Sequence, residues 1–181
     1  MNINKNRYLF TSERLGFRPW SLNDLDWFSQ LNADPNVMEF FPTTLSIDQT
    51  AEMIQSLIDH YEQFEFTYFA CEILGTEEPI GCVGLKHQTY ASPFNPAIDI
   101  GWRLKASAWG LGYGTEAAQR CMDYAFNQLK LDRVIAVCTL KNIRSERIMQ
   151  KLDMQRKEPF DHSQLTDFPN YQRCIYYEKL G

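Results

Sequence analysis

Between positions 108 and 116 the chain reads Ala-Trp-Gly-Leu-Gly-Tyr-Gly-Thr-Glu, with three glycines in five positions. A strand-like run precedes this segment and a helix-like run follows it. Closely spaced glycines let the backbone take positive φ and let a ligand approach without a Cβ in the way. Backbone N–H groups at a helix N-terminus then point outward, and the helix dipole favours an anion there. Taken alone, the pattern fits a phosphate-binding loop and a tight strand-to-helix turn equally well.

The flanking sequence sets this loop in a larger pattern. Positions 14–20 read as a first strand. Ser21, with Asp24 three residues on, forms a loose capping box, and Leu22, Leu25, Phe28 and Leu31 recur at helical spacing. Asp34-Pro35-Asn36 ends that helix. Ser46 caps a second helix whose inner stripe holds Met53, Ile54, Leu57, Ile58 and Tyr61. Strands are expected over 66–74, 80–87 and about 97–104. Beyond the glycines, Ala117 to Leu129 carry a helical apolar stripe, and 133–139 is a β-branched buried-strand run. A helix over 142–152 and strands over 154–160 and 171–179 close the chain. The order β-α-α-β-β-β-α-β-α-β-β predicts an α+β fold. Its central mixed sheet is antiparallel at first, has a parallel pairing around the glycine-loop helix, and is flanked by about four helices.

A length of 181 residues suits a single domain, 1–181. No apolar run is long enough to span a membrane, and positions 1–7 lack the apolar stretch of a secretion signal. Five cysteines form no C-x-x-C pair and sit in apolar runs, as buried free thiols of a cytoplasmic protein would. The three histidines show no metal-ligand spacing, so no metal is expected. A net charge of −5 argues against a nucleic-acid partner and mildly suits a cationic one.

Three phosphate-binding patterns can be compared with the loop. A P-loop ends in Gly-Lys-Ser/Thr, whereas Gly114 is followed by Thr115-Glu116. A dinucleotide loop needs G-x-G-x-x-G with an acid after the next strand. Here the spacing is G-x-G-x-G, and Asp132 precedes that strand. The coenzyme A pattern Q/R-x-x-G-x-G/A places its two small residues at Gly112 and Gly114, counted from Trp109.

With Trp109 to Ala117, Asn142-Ile143-Arg144-Ser145, Met149 to Met154, Asp99-Ile100-Gly101-Trp102 and Arg14-Leu15-Gly16-Phe17-Arg18 in one order, the chain resembles the GNAT superfamily of acyl-CoA N-acyltransferases. It resembles most its ribosomal-protein N-acetyltransferase (RimJ/RimL-like) branch, over roughly 13–179. Three departures stand out. Trp109 replaces the wider superfamily's Gln or Arg, Asp153 replaces a turn glycine, and Met149 stands where many members place a Tyr as general acid.

The resemblance implies an acetyl-CoA-dependent enzyme that acetylates a primary amine by direct attack. The acceptor would be a small molecule or a protein N-terminus, and a non-catalytic acyl-CoA-binding module is the alternative. A homodimer is left open. The implied anchors for the donor are Trp109, Gly110, Leu111, Gly112, Tyr113, Gly114 and Thr115 at the pyrophosphate. Trp102, Arg103 and Leu104 would meet the pantetheine arm through their main chain, and Asn142 would meet it too. Asp99 is the implied base and Ser145 a donor near the sulfur. Local readings compete: Asn142 as a simple helix cap, Arg144 and Arg147 as a solvated face, and Glu116 as a favourable first-turn charge. Trp27, Phe40, Phe41, Tyr61 and Phe69 are expected to be mostly core, with some lining the acceptor cleft. Phe160 to His162 is expected at the site's edge.

Overall fold

The structure is a computed structural model that describes residues 7–181; the polar stretch 1–6 lies outside them. In chain order the elements are β1 (Phe10–Thr11), β2 (Leu15–Arg18), α1 (Leu25–Ala33), α2 (Ile47–Phe64), β3 (Tyr68–Ile73), β4 (Glu78–Gln88), β5 (Ala97–Leu104), α3 (Tyr113–Asn127), β6 (Arg133–Thr139), α4 (Ile143–Lys151), β7 (Gln155–Arg156), β8 (Phe160–Asp161), α5 (Pro169–Gln172) and β9 (Arg173–Leu180). Short 3-10 turns precede α1 and follow β5.

The expected capping box at Ser21 and the cap at Ser46 both form, and the latter is a full box with Gln49. Asp24 accepts from the Ser21 N–H at 2.9 Å, and Ser46 Oγ accepts from the Gln49 N–H at 3.2 Å. Asp153 takes φ 55°, the left-handed turn that a glycine would otherwise hold, and Asp tolerates that region.

The strands form one mixed sheet in the order β1-β2-β3-β4-β5-β6-β9-β7, with β8 also on β9. Every pairing is antiparallel except β5 with β6. Two expectations shift. The strand over 154–160 breaks into β7 and β8, because Pro159 cannot donate to a ladder. The last strand starts at Arg173, because Pro169 opens the short helix α5, which makes five helices among the described residues.

Strand alternation sorts the core. Phe69, Cys71, Val83, Ile100, Val134 and Ala136 pack with Ala117, Cys121, Met122 and Ala125 of α3 and Met149 of α4. On the other face Ala70 and Cys82 pack with Phe28 and Leu31 of α1 and Ile54 and Leu57 of α2. The helices therefore cover both faces of the β3–β5 meander. All five cysteines are buried and unpaired.

Gly84 fixes how closely β3 approaches β4. A Cβ there would sit 2.0 Å from Thr67 O and 2.8 Å from Tyr68 Cα, and both are backbone atoms that cannot step aside. Gly84→Ala is expected to destabilise the fold by about 2–3 kcal/mol, measured by urea unfolding. A change under about 0.5 kcal/mol would contradict this packing.

Candidate active site

The parallel strands β5 and β6 share a single registered pair, Asp99 opposite Ile135, near the start of both. β5 stays paired to β4 along its whole length, and β6 to β9. Past Asp99 the two strands therefore diverge, and a cavity of about 780 Å³ opens between them. Asp99 to Leu104 line one wall, and Val137, Cys138 and Thr139 line the other.

The register decides which groups face this gap. The Lys105 N–H donates to Ile80 O at 2.8 Å. By alternation the main chains of Arg103 and Gly101 also turn to β4, and those of Trp102 and Leu104 turn to the gap. Arg103 thus offers the cavity its side chain and not its backbone. The Leu104 carbonyl accepts from Trp109 Nε1 at 3.0 Å, which ties the glycine loop to the strand end.

In that loop Gly110 and Gly112 hold φ of 76° and 83°, which other residues adopt only with strain. Gly114 serves packing instead, since its Cβ would stand 3.1 Å from Ile148 Cδ1 on α4. Gly112 is the N-cap of α3 and supplies no side-chain cap. By contrast, Ser46 caps α2, and Asn142 caps α4 by accepting from the Ser145 N–H at 3.1 Å. The first-turn N–H groups of the fifteen-residue helix α3 are left without a side-chain acceptor, beside the cavity. Trp109, Gly110, Gly112, Gly114, Thr115, Asn142 and Ser145 all line it; Leu111 and Tyr113 do not. The Leu111 carbonyl is held by Arg14 Nη1 at 3.1 Å, and Tyr113 lies under the Arg14 guanidinium at 4.5 Å. Arg14 in turn is bound by Glu116, which also accepts from Ser12 Oγ at 2.7 Å.

Asp99 is 7% exposed, on the face toward α1 and α2. Burial raises its carboxyl to about 6, partly opposed by the Tyr68 hydroxyl, which donates to Oδ1 at 2.6 Å. Gly101 makes that contact reachable, since the Tyr68 ring lies where its Cβ would be, with Cε1 at 3.0 Å. On the opposite face Trp102 Nε1 donates to Ser145 Oγ at 3.2 Å, which leaves the Ser145 O–H free to donate. Arg144 pairs with Glu39 at 2.5 Å and stacks over Trp109 at 4.3 Å. Arg147 and Lys151 line the rim with no carboxylate partner among the described residues. Phe40, Phe41 and His162 also line the cavity, and His162 stacks on Tyr90 at 4.0 Å. Phe69, Tyr61 and Trp27 pack in the core clusters, and Phe160 is buried. Met149 is only 1% exposed and bears on the core, not the cavity.

The acetyltransferase (GNAT) domain profile matches residues 14–155. The chain belongs to the GNAT acetyltransferase family. It is 30% identical over 148 residues to the uncharacterised N-acetyltransferase p20 of Bacillus licheniformis, covering 81% of this chain and 82% of that one. Its fold is shared with a GNAT-family acetyltransferase from Bacillus anthracis (TM-score 0.77, 24% identity, 94% and 96% of the two chains). It is also shared with RimL, the ribosomal L7/L12 alpha-N-protein acetyltransferase, in complex with coenzyme A (TM-score 0.74, 18% identity, 95% and 97%).

In this GNAT enzyme the sequence reading missed Tyr68 as a partner of Asp99 and Arg14 as the clamp on the loop. A signal for Tyr68 exists: Gly101 lies two residues past Asp99 on the same strand face, so it vacates room for a neighbouring ring. Arg14 gave no such signal, because its contact with Leu111 is long-range. The Asp99 carboxyl should titrate near 6 in a carboxyl-carbon NMR experiment. Tyr68→Phe removes a bond to the charged form, so the midpoint should move higher. A wild-type midpoint near 4, or a downward move in the variant, would contradict the geometry.

Proposed function

We propose that residues 1–181 act as one N-acetyltransferase domain, moving an acetyl group from acetyl-CoA to a primary amine by direct attack in a ternary complex. The observation that carries this reading is the opening between β5 and β6 beside the uncapped N-terminus of α3. A gap edged by unpaired main-chain groups suits an amide-bearing arm, and free helix N–H groups suit a pyrophosphate. The Trp102 main chain and the Leu104 N–H would meet the pantetheine amides, Gly110 to Thr115 the pyrophosphate, and Arg147 and Lys151 a further phosphate. Asn142 already caps α4 through Oδ1, so only its amide N–H₂ is free for the donor.

Acetyl-CoA supplies the activated acyl group. The amine nitrogen attacks the thioester carbonyl carbon, the C–S bond breaks, and the amine proton and the thiolate must both be dealt with. Asp99, directly or through a water, takes the proton, and Tyr68 holds its carboxylate in place. The Ser145 hydroxyl, already accepting from Trp102, donates toward the leaving sulfur. Asp99 near 6 lies about two units below an α-amine and more than four below a lysine. A protein N-terminus or a small amine of low pKa is therefore the easier acceptor.

Acetyl-CoA at a hundred times its Kd should stabilise the protein by about 2.7 kcal/mol, while NAD should not. Asp99→Asn should lower kcat/KM about a hundredfold or more and remove from the pH profile of kcat, at saturating acceptor, the fall through about 6. Ser145→Ala should lower kcat about tenfold. Acetyl-CoA binding with unchanged turnover in both variants would overturn the site assignment. Binding without turnover of any amine would favour a non-catalytic module, and stabilisation by NAD alone would overturn the donor.

A further inference from the structure

Two arginines are sunk into this fold, and they are treated differently. Arg18 meets two carboxylates, Asp24 at 2.6 Å and Glu72 at 2.7 Å. Arg103 meets none among the described residues. Its Nη1 donates to Asn32 Oδ1 at 2.6 Å, and its guanidinium stacks 4.3 Å from the Phe41 ring centroid. Its Nε is sealed from solvent with no acceptor at all. Burial lowers the Arg103 pKa, whereas the carboxylates around Arg18 raise that one. A half-buried cation held by a neutral amide, a thioether and a ring, with no carboxylate beside it, is costly unless a counter-charge completes it.

The cavity is where that counter-charge can come from. Arg103 lines it together with the apolar Val37, Phe41 and Met53, a setting that strengthens any ion pair formed there. Its side chain leaves β5 toward α1 and α2, on the same face as Asp99 and Tyr68. The uncapped end of α3 belongs to the helix packed on the opposite face, so a pyrophosphate held there would lie across the sheet from the Arg103 side chain. Asp99 stands four residues earlier on the strand, about 13 Å away between Cα atoms.

We infer that the acceptor is an amine that also carries a carboxylate several bonds away, with Arg103 binding the carboxylate while the amine lies at Asp99. This rests on the acetyltransferase reading above and adds the acceptor's chemistry to it. The spacing fits an acidic side chain close to a peptide amino terminus, whose α-amine also suits Asp99; a chain-extended amino acid offers the same carboxylate with an amine as basic as lysine's, so it is the harder acceptor. It disfavours a polyamine, whose second ammonium would meet Arg103 in an apolar enclosure. The weak acidity of the whole chain points toward a cationic partner, but the local charge at the cavity decides the substrate.

The test uses the full chain with acetyl-CoA and paired acceptors. Short peptides with glutamate at the second or third position are set against their glutamine counterparts. 4-Aminobutyrate and 6-aminohexanoate are set against their amides, and spermidine is added. The expected result is at least a tenfold higher kcat/KM for the acid member of a pair; which pair shows it separates peptide from small molecule. Arg103→Met should bring the acid-to-amide ratio close to one, with the loss in the acceptor's KM and not in that of acetyl-CoA. Arg103→Lys should keep part of the preference. Equal rates for acid and amide, a preference for spermidine, or a loss confined to the KM of acetyl-CoA would each overturn the inference. If Arg103→Met fails to fold, the wild-type acid-to-amide ratio decides alone. Turnover of neutral amines only sinks this inference and leaves the acetyltransferase reading standing. No acetyl-CoA binding and no acetylation of any amine would sink that underlying reading.

Discussion

The parallel pairing of β5 with β6 fails after one residue pair, Asp99 with Ile135, and the rest of the site follows from that failure. The sheet survives the split because each strand keeps its outer partner, β4 on one side and β9 on the other. What opens is a wedge inside the sheet, edged by main-chain groups of Trp102 and Leu104. Unpaired backbone groups within a fold need acceptors and donors from somewhere. Under the proposed function the donor substrate would meet that need, so a gap that would be a defect in another sheet would serve as a binding surface here.

The two faces of β5 divide the chemistry. Trp102 projects toward α4 and meets Ser145. Asp99 and Arg103 project toward α1 and α2, where Tyr68 and Asn32 hold them. Period-two alternation alone sets this separation. Gly101 sits between the two charged residues and carries no side chain, so the Tyr68 ring fills the space and reaches the Asp99 carboxylate. The glycine loop continues the same strand. Trp109 closes on the Leu104 carbonyl and Arg14 on the Leu111 carbonyl, which fixes the approach to α3 from both sides.

Much of this was legible in the sequence because it is local. The strands over 97–104 and 133–139 follow from β-branched and alternating runs, and the box at Ser21 and the cap at Ser46 from local sequence alone. The loop's glycines fit an anion site and a tight turn equally well; in the structure Gly114 serves helix packing and Gly110 and Gly112 the backbone conformation. The Asn142 reading as a cap was a local one and stands in the geometry. What escaped was long-range. Tyr68 and Asp99 are 31 residues apart, and Arg103 and Asn32 are 71 apart. Which main-chain groups of β5 face the gap depends on its register with β4, which no periodicity reveals. The broken strand at Pro159 was a misjudged local signal, since proline there was visible from the start.

On the proposed function, the split between β5 and β6 and the bare end of α3 together hold the donor. Amide hydrogen exchange with and without coenzyme A tests it residue by residue. New protection is expected at the Trp102 and Leu104 amides and at Tyr113, Gly114 and Thr115, with little change at Arg103, whose amide is already bound to β4. Protection that falls elsewhere and leaves those five amides unchanged would contradict it.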